Sequence, residues 1–194
     1  FILASKYIFT RKISNFDYLT DENYKSPDFL KKDGGWIDDD TLKGGALLNM
    51  SSKFVSVILN VTSSLEGKHV IYSFFKTKSG VRMFHSLFKK YNKGKEKKDK
   101  IRCEIFSGDL TDYKRKKLLE RFNSKKNRNG EKIKILLITE AGAEGITLTE
   151  TNNLHILESS DIESKVKQVI GRVIRYKSHY DLEASKQYVN IWRY

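Results

Sequence analysis

From Ser51 onward the apolar positions switch repeatedly between a helical period and a strand period, and the alternation predicts a βα repeat. In "SSKFVSVILNVTSSLEG" (51–67), Phe54, Val55, Ile58, Val61 and Leu65 follow helical spacing, with Ser51 or Ser52 as the cap and Gly67 as the stop. "HVIYSFF" (69–75) is a continuous buried-strand run, and "SGVRMFHSLFKKY" (79–91) places Val81, Phe84, Phe88 and Tyr91 on one helical face. "IRCEIF" (101–106) alternates as a strand, and "TDYKRKKLLERF" (111–122) reads as a helix with Leu118, Leu119 and Phe122 inward. "KIKILLI" (132–138) and "NLHILE" (153–158) are further strands. "DIESKVKQVIGRVIR" (161–175) is a helix opened by a capping box, Ser160-x-x-Glu163, and "QYVNIW" (187–192) closes as a strand.

Repeated β-α order predicts an α/β fold, a mainly parallel sheet with helices on both faces. In such sheets ligands bind at the carboxyl ends of the strands. The first 50 residues show no such period, and "DGGWIDDDTLKGG" (33–45) supplies breakers and charges. Residues 1–50 are therefore expected to be an irregular arm or inter-lobe segment, and 51–194 the folded domain.

Composition narrows the class. A chain of 194 residues suits one α/β domain with an appendage. No apolar run approaches 18 residues, and "FILASKYIF" lacks a basic n-region and a cleavage site, so neither a membrane span nor a signal peptide is expected. Without an initiator Met, the chain reads as an excerpt from a longer protein. The single Cys103 forms no internal disulfide and no metal-ligand spacing, which fits an intracellular, reducing compartment. A net charge of +13 points to a polyanionic partner, nucleic acid before membrane, although the same lysines would equally suit a solvated surface. Two loops concentrate that charge: "KGKEKKDK" (93–100) and "SKKNRNGEK" (124–132). Either could touch phosphates or simply stay in water.

The chemistry gathers in two stretches. "TEAGAEGITLT" (139–149) follows the strand ending in "KILLI", and Gly142 and Gly145 allow a turn whose N–H groups face an anion. Alone it fits a plain tight turn just as well. Downstream, "QVIGRVIRYKSH" (168–179) puts Gln168, Gly171, Arg172 and Arg175 at relative positions 0, 3, 4 and 7, one face of a helix. An ordinary amphipathic helix, with Val169, Ile170, Val173 and Ile174 as its core side, gives the same spacing. Arginine is nonetheless the residue suited to phosphate, because its planar fork holds two oxygens with a fixed charge. Gly171 would let another backbone come close to the helix.

Together these pieces resemble the C-terminal RecA-like lobe of superfamily 2 helicases and nucleic-acid-dependent ATPases. The likeness runs over residues ~51–194: "HVIYSFF" is similar to motif IV, "TEAGAEGITLT" to motif V and "QVIGRVIR" to motif VI, with "FSGDLTDYKRKKLLERFN" between IV and V. More narrowly, "GAEGITLTETNNLHILE" running into "QVIGRVIRYKSH" resembles the ATPases of large DNA viruses, including the poxvirus nucleoside triphosphate phosphohydrolase and the early transcription factor ATPase.

The resemblance implies a split site for ATP and Mg²⁺, held mainly by an N-terminal lobe of the same polypeptide. Arg175 would be the finger on the γ-phosphate, and Arg172 would share or brace that role. Gln168, Gly171, Glu144 and Gly145 would serve the nucleotide side. Thr139, Gly142, Ser73, Ser107 and Gly108 would line the nucleic-acid groove, with DNA expected ahead of RNA. It also implies a role in transcription, contact with the transcription machinery, and host cytoplasm or virion as the location. No GxxxxGK[ST] loop occurs: "GK" appears at Gly67 and Gly94 without a following Ser or Thr, and "DENY" (21–24) lacks the strand that precedes a Walker B box. The isolated chain is therefore expected to be inactive in ATP hydrolysis. The rival reading is a basic nucleic-acid-binding or scaffold domain without motor activity. His155 is expected to be a packed strand residue, Trp36 and Trp192 packing anchors, and no metal spacing links His69, His85, His179 and Cys103.

Overall fold

A computed structural model describes residues 51–63, 66–77, 80–158 and 163–194. The expected arm (1–50), Leu65 and the capping Ser160 lie outside these residues. Helix α1 (Ser52–Ser63) starts where the Ser51 hydroxyl accepts the Phe54 N–H at 3.1 Å, and it buries Phe54, Val57 and Val61. Strand β1 (Lys68–Ser73) leads to α2 (Val81–Tyr91), β2 (Cys103–Phe106) to α3 (Asp112–Asn123), and β3 (Ile135–Thr139) to the single turn α4 (Glu140–Ala143). Strand β4 (Thr151–Ile156), α5 (Glu163–Val173) and β5 (Asn190–Arg193) complete the order.

The five strands lie in the order β2-β3-β1-β4-β5, and every neighbouring pair is parallel, as the βα repeat predicts. Each central strand is buried on both faces, so successive residues serve opposite cores. Ile71, Ile135 and Leu137 meet α1 and α2 through Phe54, Val57, Phe84 and Leu87. Val70, Tyr72, Leu136, Ile138, Leu154 and Ile156 meet Phe122, Val166, Val169 and Val173 of α3 and α5. The chain leaves β1 toward β2 and leaves the adjacent β4 toward β5, in opposite directions along the sheet. Their carboxyl ends therefore flank a topological switch point, where α/β sheets open a crevice.

Several element ends differ from the periodic reading because side chains replace strand pairing. The β2 ladder begins at Cys103, not Ile101, and the Asn92 amide pairs with both main-chain groups of Ile101 on the outer side, at 2.8 and 2.7 Å. β3 begins at Ile135, after Asn127 Oδ1 has accepted the N–H groups of Lys132 and Ile133. β1 stops at Ser73 because Glu158 accepts the Phe74 N–H at 3.0 Å. β5 is shifted to Asn190–Arg193 and is exposed throughout, so Trp192 is a weaker anchor than expected, 37% exposed and stacked 6.3 Å from the His155 ring.

Two polar features sit in the core. The Lys68 ammonium donates to the Phe122 carbonyl at 2.9 Å, and burial pushes its pKa down to about 8. The Asn60 amide donates to Tyr194 Oη at 2.8 Å, and that hydroxyl hydrogen-bonds His155 Nδ1 at 3.0 Å. His155 Nε2 hydrogen-bonds His69 Nδ1 at 3.1 Å. His155 is thus a packed strand residue, and burial, reinforced by His69, lowers its pKa to about 3.

Candidate functional site

The segment after β3 and the end of α5 are tied together by main-chain hydrogen bonds. Gly145 takes φ +70° on the surface, a torsion glycine adopts freely, and the chain then turns inward to bury Ile146 and Leu148. The Leu148 N–H donates to the Arg172 carbonyl at 2.9 Å, and the Glu150 N–H donates to the Ser178 carbonyl at 2.8 Å. Asn123 fastens the same segment from α3, accepting the Thr149 N–H and donating to the Thr147 carbonyl.

Helix α5 ends two residues earlier than the apolar period suggests. Ser178 Oγ accepts the Arg175 N–H at 3.2 Å and donates to the Val173 carbonyl at 3.1 Å, and Lys177 takes φ +61°. Arg175 accordingly lies beyond the helix, not on its face. Its position is set by the side chain: Nη1 donates to Thr147 Oγ1 at 2.6 Å. Gln168, Gly171 and Arg172 do lie on α5. A Cβ at Gly171 would meet nothing within 4 Å, so the close backbone approach expected there is not made by the described residues.

Gln168 and Arg172 line one small cavity with Lys165, Val169, Tyr72, the α4 residues Glu140 and Ala143, and Glu144 just after them. Lys165 Nζ and Glu140 Oε1 lie 2.5 Å apart across it. Its volume of about 20 Å³ suits a single water, so phosphates would have to lie over its mouth. A guanidinium and an amide there suit phosphate oxygens. No group of three or more His, Cys, Asp or Glu side chains that could hold a metal occurs among the described residues.

The expected groove residues lie at the carboxyl ends of β1, β2 and β3, which are adjacent in the sheet. Ser73 pairs with Thr139 in register, and Ser107 and Gly108 follow the neighbouring β2. Their side chains are less available than the sequence suggests. Ser73 Oγ donates to Glu158 Oε1 at 2.6 Å and accepts the Phe75 N–H at 3.0 Å. Ser73, Ser107 and Thr139 are buried, and Gly108 is exposed. Gly142 is buried because a Cβ there would stand 2.5 Å from the Phe106 carbonyl oxygen. Beside them, Asp109 pairs with Lys76 and Arg82.

Glu158, Lys165, Thr147 and Asn123 escaped the sequence reading. Glu158 had a signal, as the acidic last residue of "NLHILE" at the switch point; the others are visible only through contacts distant in sequence.

The helicase conserved C-terminal domain model matches residues 52–177. A protein of Acanthamoeba polyphaga mimivirus provisionally named an ATP-dependent RNA helicase (R563) is 30% identical over 198 residues, covering 97% of this chain and 32% of that protein. Nucleoside triphosphatase I of Melanoplus sanguinipes entomopoxvirus is 39% identical over 98 residues, 47% of this chain and 15% of its own length. The chain thus spans a third or less of these relatives. Among solved structures, the C-terminal part of the Fun30 ATPase domain shares the fold, with a TM-score of 0.51 at 19% identity, over 94% of this chain and 59% of that one.

Proposed function

The chain belongs to the helicase conserved C-terminal domain family, and on that premise we propose that it is the C-terminal RecA-like lobe of a viral ATP-driven nucleic-acid helicase or translocase. ATP would lie between this lobe and a preceding one that holds Mg²⁺ and the phosphate loop, leaving the isolated chain without hydrolytic activity. The observation that carries this reading is the fastening of the post-β3 segment to the end of α5: Leu148 N–H to the Arg172 carbonyl, and Arg175 to Thr147. Residues on the nucleic-acid side and residues on the nucleotide side then move as one body.

In this reading the Arg175 guanidinium swings from Thr147 to the γ-phosphate when the lobes close. Arg172 and Gln168, at the mouth of the α4–α5 cavity, orient the phosphates, and Glu144 and Gly145 pass the change to Thr139 and the strand-end groove. The name of the mimivirus relative favours RNA as a substrate. The expectation of DNA, and of a part in transcription, rests on the likeness to the ATPases of large DNA viruses.

The test is Arg175→Ala and Arg172→Ala in the full-length protein. Arginine fingers are worth ~10³ to 10⁵ in rate in related phosphoryl transfers. R175A should therefore lower strand-stimulated kcat by roughly 10³ or more, with ATP affinity changed only a few-fold. R172A should act in the same direction and less strongly. Near-normal turnover in R175A removes the finger role, and wild-type strand binding without strand-stimulated turnover favours a binding module without motor activity.

A further inference from the structure

β2 is an edge strand, and the outward main-chain groups of Ile101, just before it, are already taken. The Arg102 carbonyl accepts the Lys134 and Ile135 N–H groups on the β3 side, so Ile101 and Cys103 face away from the sheet. Asn92 pairs with both groups of Ile101, and His85 lines the same edge as Cys103. His85, Lys89 and Asn92, at relative positions 0, 4 and 7, thus lay one stripe of α2 and its cap along the edge.

Outside that stripe lies a cavity of about 340 Å³ that draws cations from three separate segments. Lys89 comes from α2, Lys97 and Lys100 from one basic loop, Lys132 from the other, and Arg102 and Arg121 complete the wall. Glu104 is the one carboxylate among the lining residues, and it pairs with Arg121 at 2.5 Å. Five cations therefore face the cavity with no acid in its lining to answer them. The positive potential is felt by His85, whose imidazole is held below its ordinary pKa by burial and next by Lys89.

We infer that this edge is a second binding site for the phosphate backbone of nucleic acid, separate from the groove at the strand ends. The inference rests on the proposed helicase function. The cavity opens at the amino ends of β2 and β3, whereas Ser107 and Thr139 mark their carboxyl ends, a strand length of roughly 13 Å away. A strand leaving the groove reaches it within a few nucleotides. An acidic protein segment adding to the sheet is disfavoured where Asn92 occupies the Ile101 main-chain groups it would need. Mobile lysines supply what a sugar-phosphate chain needs, charge without sequence preference.

The test uses the full-length protein and fluorescein-labelled 40-nucleotide strands of U and of dT. The triple reversal K97E, K100E and K132E is compared with K116E, K117E and K126E, which makes the same charge change at exposed lysines elsewhere. The first variant should weaken strand binding tenfold or more at ~0.1 M salt. It should also reduce the slope of log affinity against log salt by about 2, as expected for three lost phosphate contacts, and leave kcat at saturating strand unchanged. The second should stay within about threefold of wild type, a margin set by general electrostatics. Equal losses in both variants, or no loss in the first, overturn the site while leaving the helicase reading intact. Unchanged strand affinity with lost binding of a polyglutamate peptide assigns the edge to an acidic protein and also overturns it. If the unaltered protein neither binds a strand nor is stimulated by one, the proposed function falls, and the site falls with it.

Discussion

Gly142 and Gly145 look alike in the sequence but have different reasons for being glycine. Gly145 needs its positive φ, while Gly142 needs the absence of a Cβ against the Phe106 carbonyl. A backbone oxygen cannot rotate away, so Gly142→Ala should destabilise the lobe by ~1 to 3 kcal/mol, as overpacking does. Thermal unfolding of the full-length variant checks this, and an unchanged transition of the lobe would remove the packing explanation. The types and approximate positions of the candidate residues were legible because arginine and glycine have few substitutes for phosphate and for tight turns. Their environments were not. The spacing 0, 3, 4, 7 placed Arg175 on a helix that ends at Val173, because the Ser178 hydroxyl that closes α5 carries no periodic signal.

At the scale of elements, the five strands and helices α1, α2, α3 and α5 were readable from period, whereas the single turn α4 was read as part of a Gly-rich loop. The ends were not readable, because polar side chains substitute for ladder partners at Ile133 and Phe74 and cover the open edge at Ile101. Asn92 is the plainest case. Replacing it with Ala strips Ile101 of both hydrogen bonds and uncovers an edge that can pair with another chain. Asn92→Ala should cost about 1 to 3 kcal/mol, the penalty for buried groups left unpaired, and should raise the tendency to self-associate. Amide exchange at Ile101 and concentration-dependent light scattering report the two effects. Unaltered protection at Ile101 would mean that the amide is not what covers the edge.

Across the molecule, the two cores meet only through the sheet, and the histidine chain running from β1 to Tyr194 makes that sheet sensitive to acid. His155 titrates near 3 when folded, against about 6.5 when unfolded. As the pH falls below 6.5 the unfolded chain therefore takes up a proton that the folded chain refuses. The stability associated with His155 is complete above pH 6.5 and declines toward pH 3, by up to ~1.4 kcal/mol per unit. Hydrogen exchange at β1 and β4 amides, corrected for intrinsic rates, should lose up to about tenfold in protection per pH unit between 6.5 and 5. Flat protection over that range would show that the histidine is solvated and charges freely. Among the described residues no helix is long and apolar enough to cross a membrane.

The hydrogen bonds from Leu148 and Glu150 to the carbonyls of Arg172 and Ser178 bear on how this lobe can be rebuilt. Two stretches that sequence comparison treats as independent modules share one set of main-chain partners. Neither can be exchanged with a relative's version while the other keeps its own geometry. In a chimaera, residues 139–150 and 168–178 are one transplantable part, so their substitutions should be inherited together in any recombined or directed-evolution library.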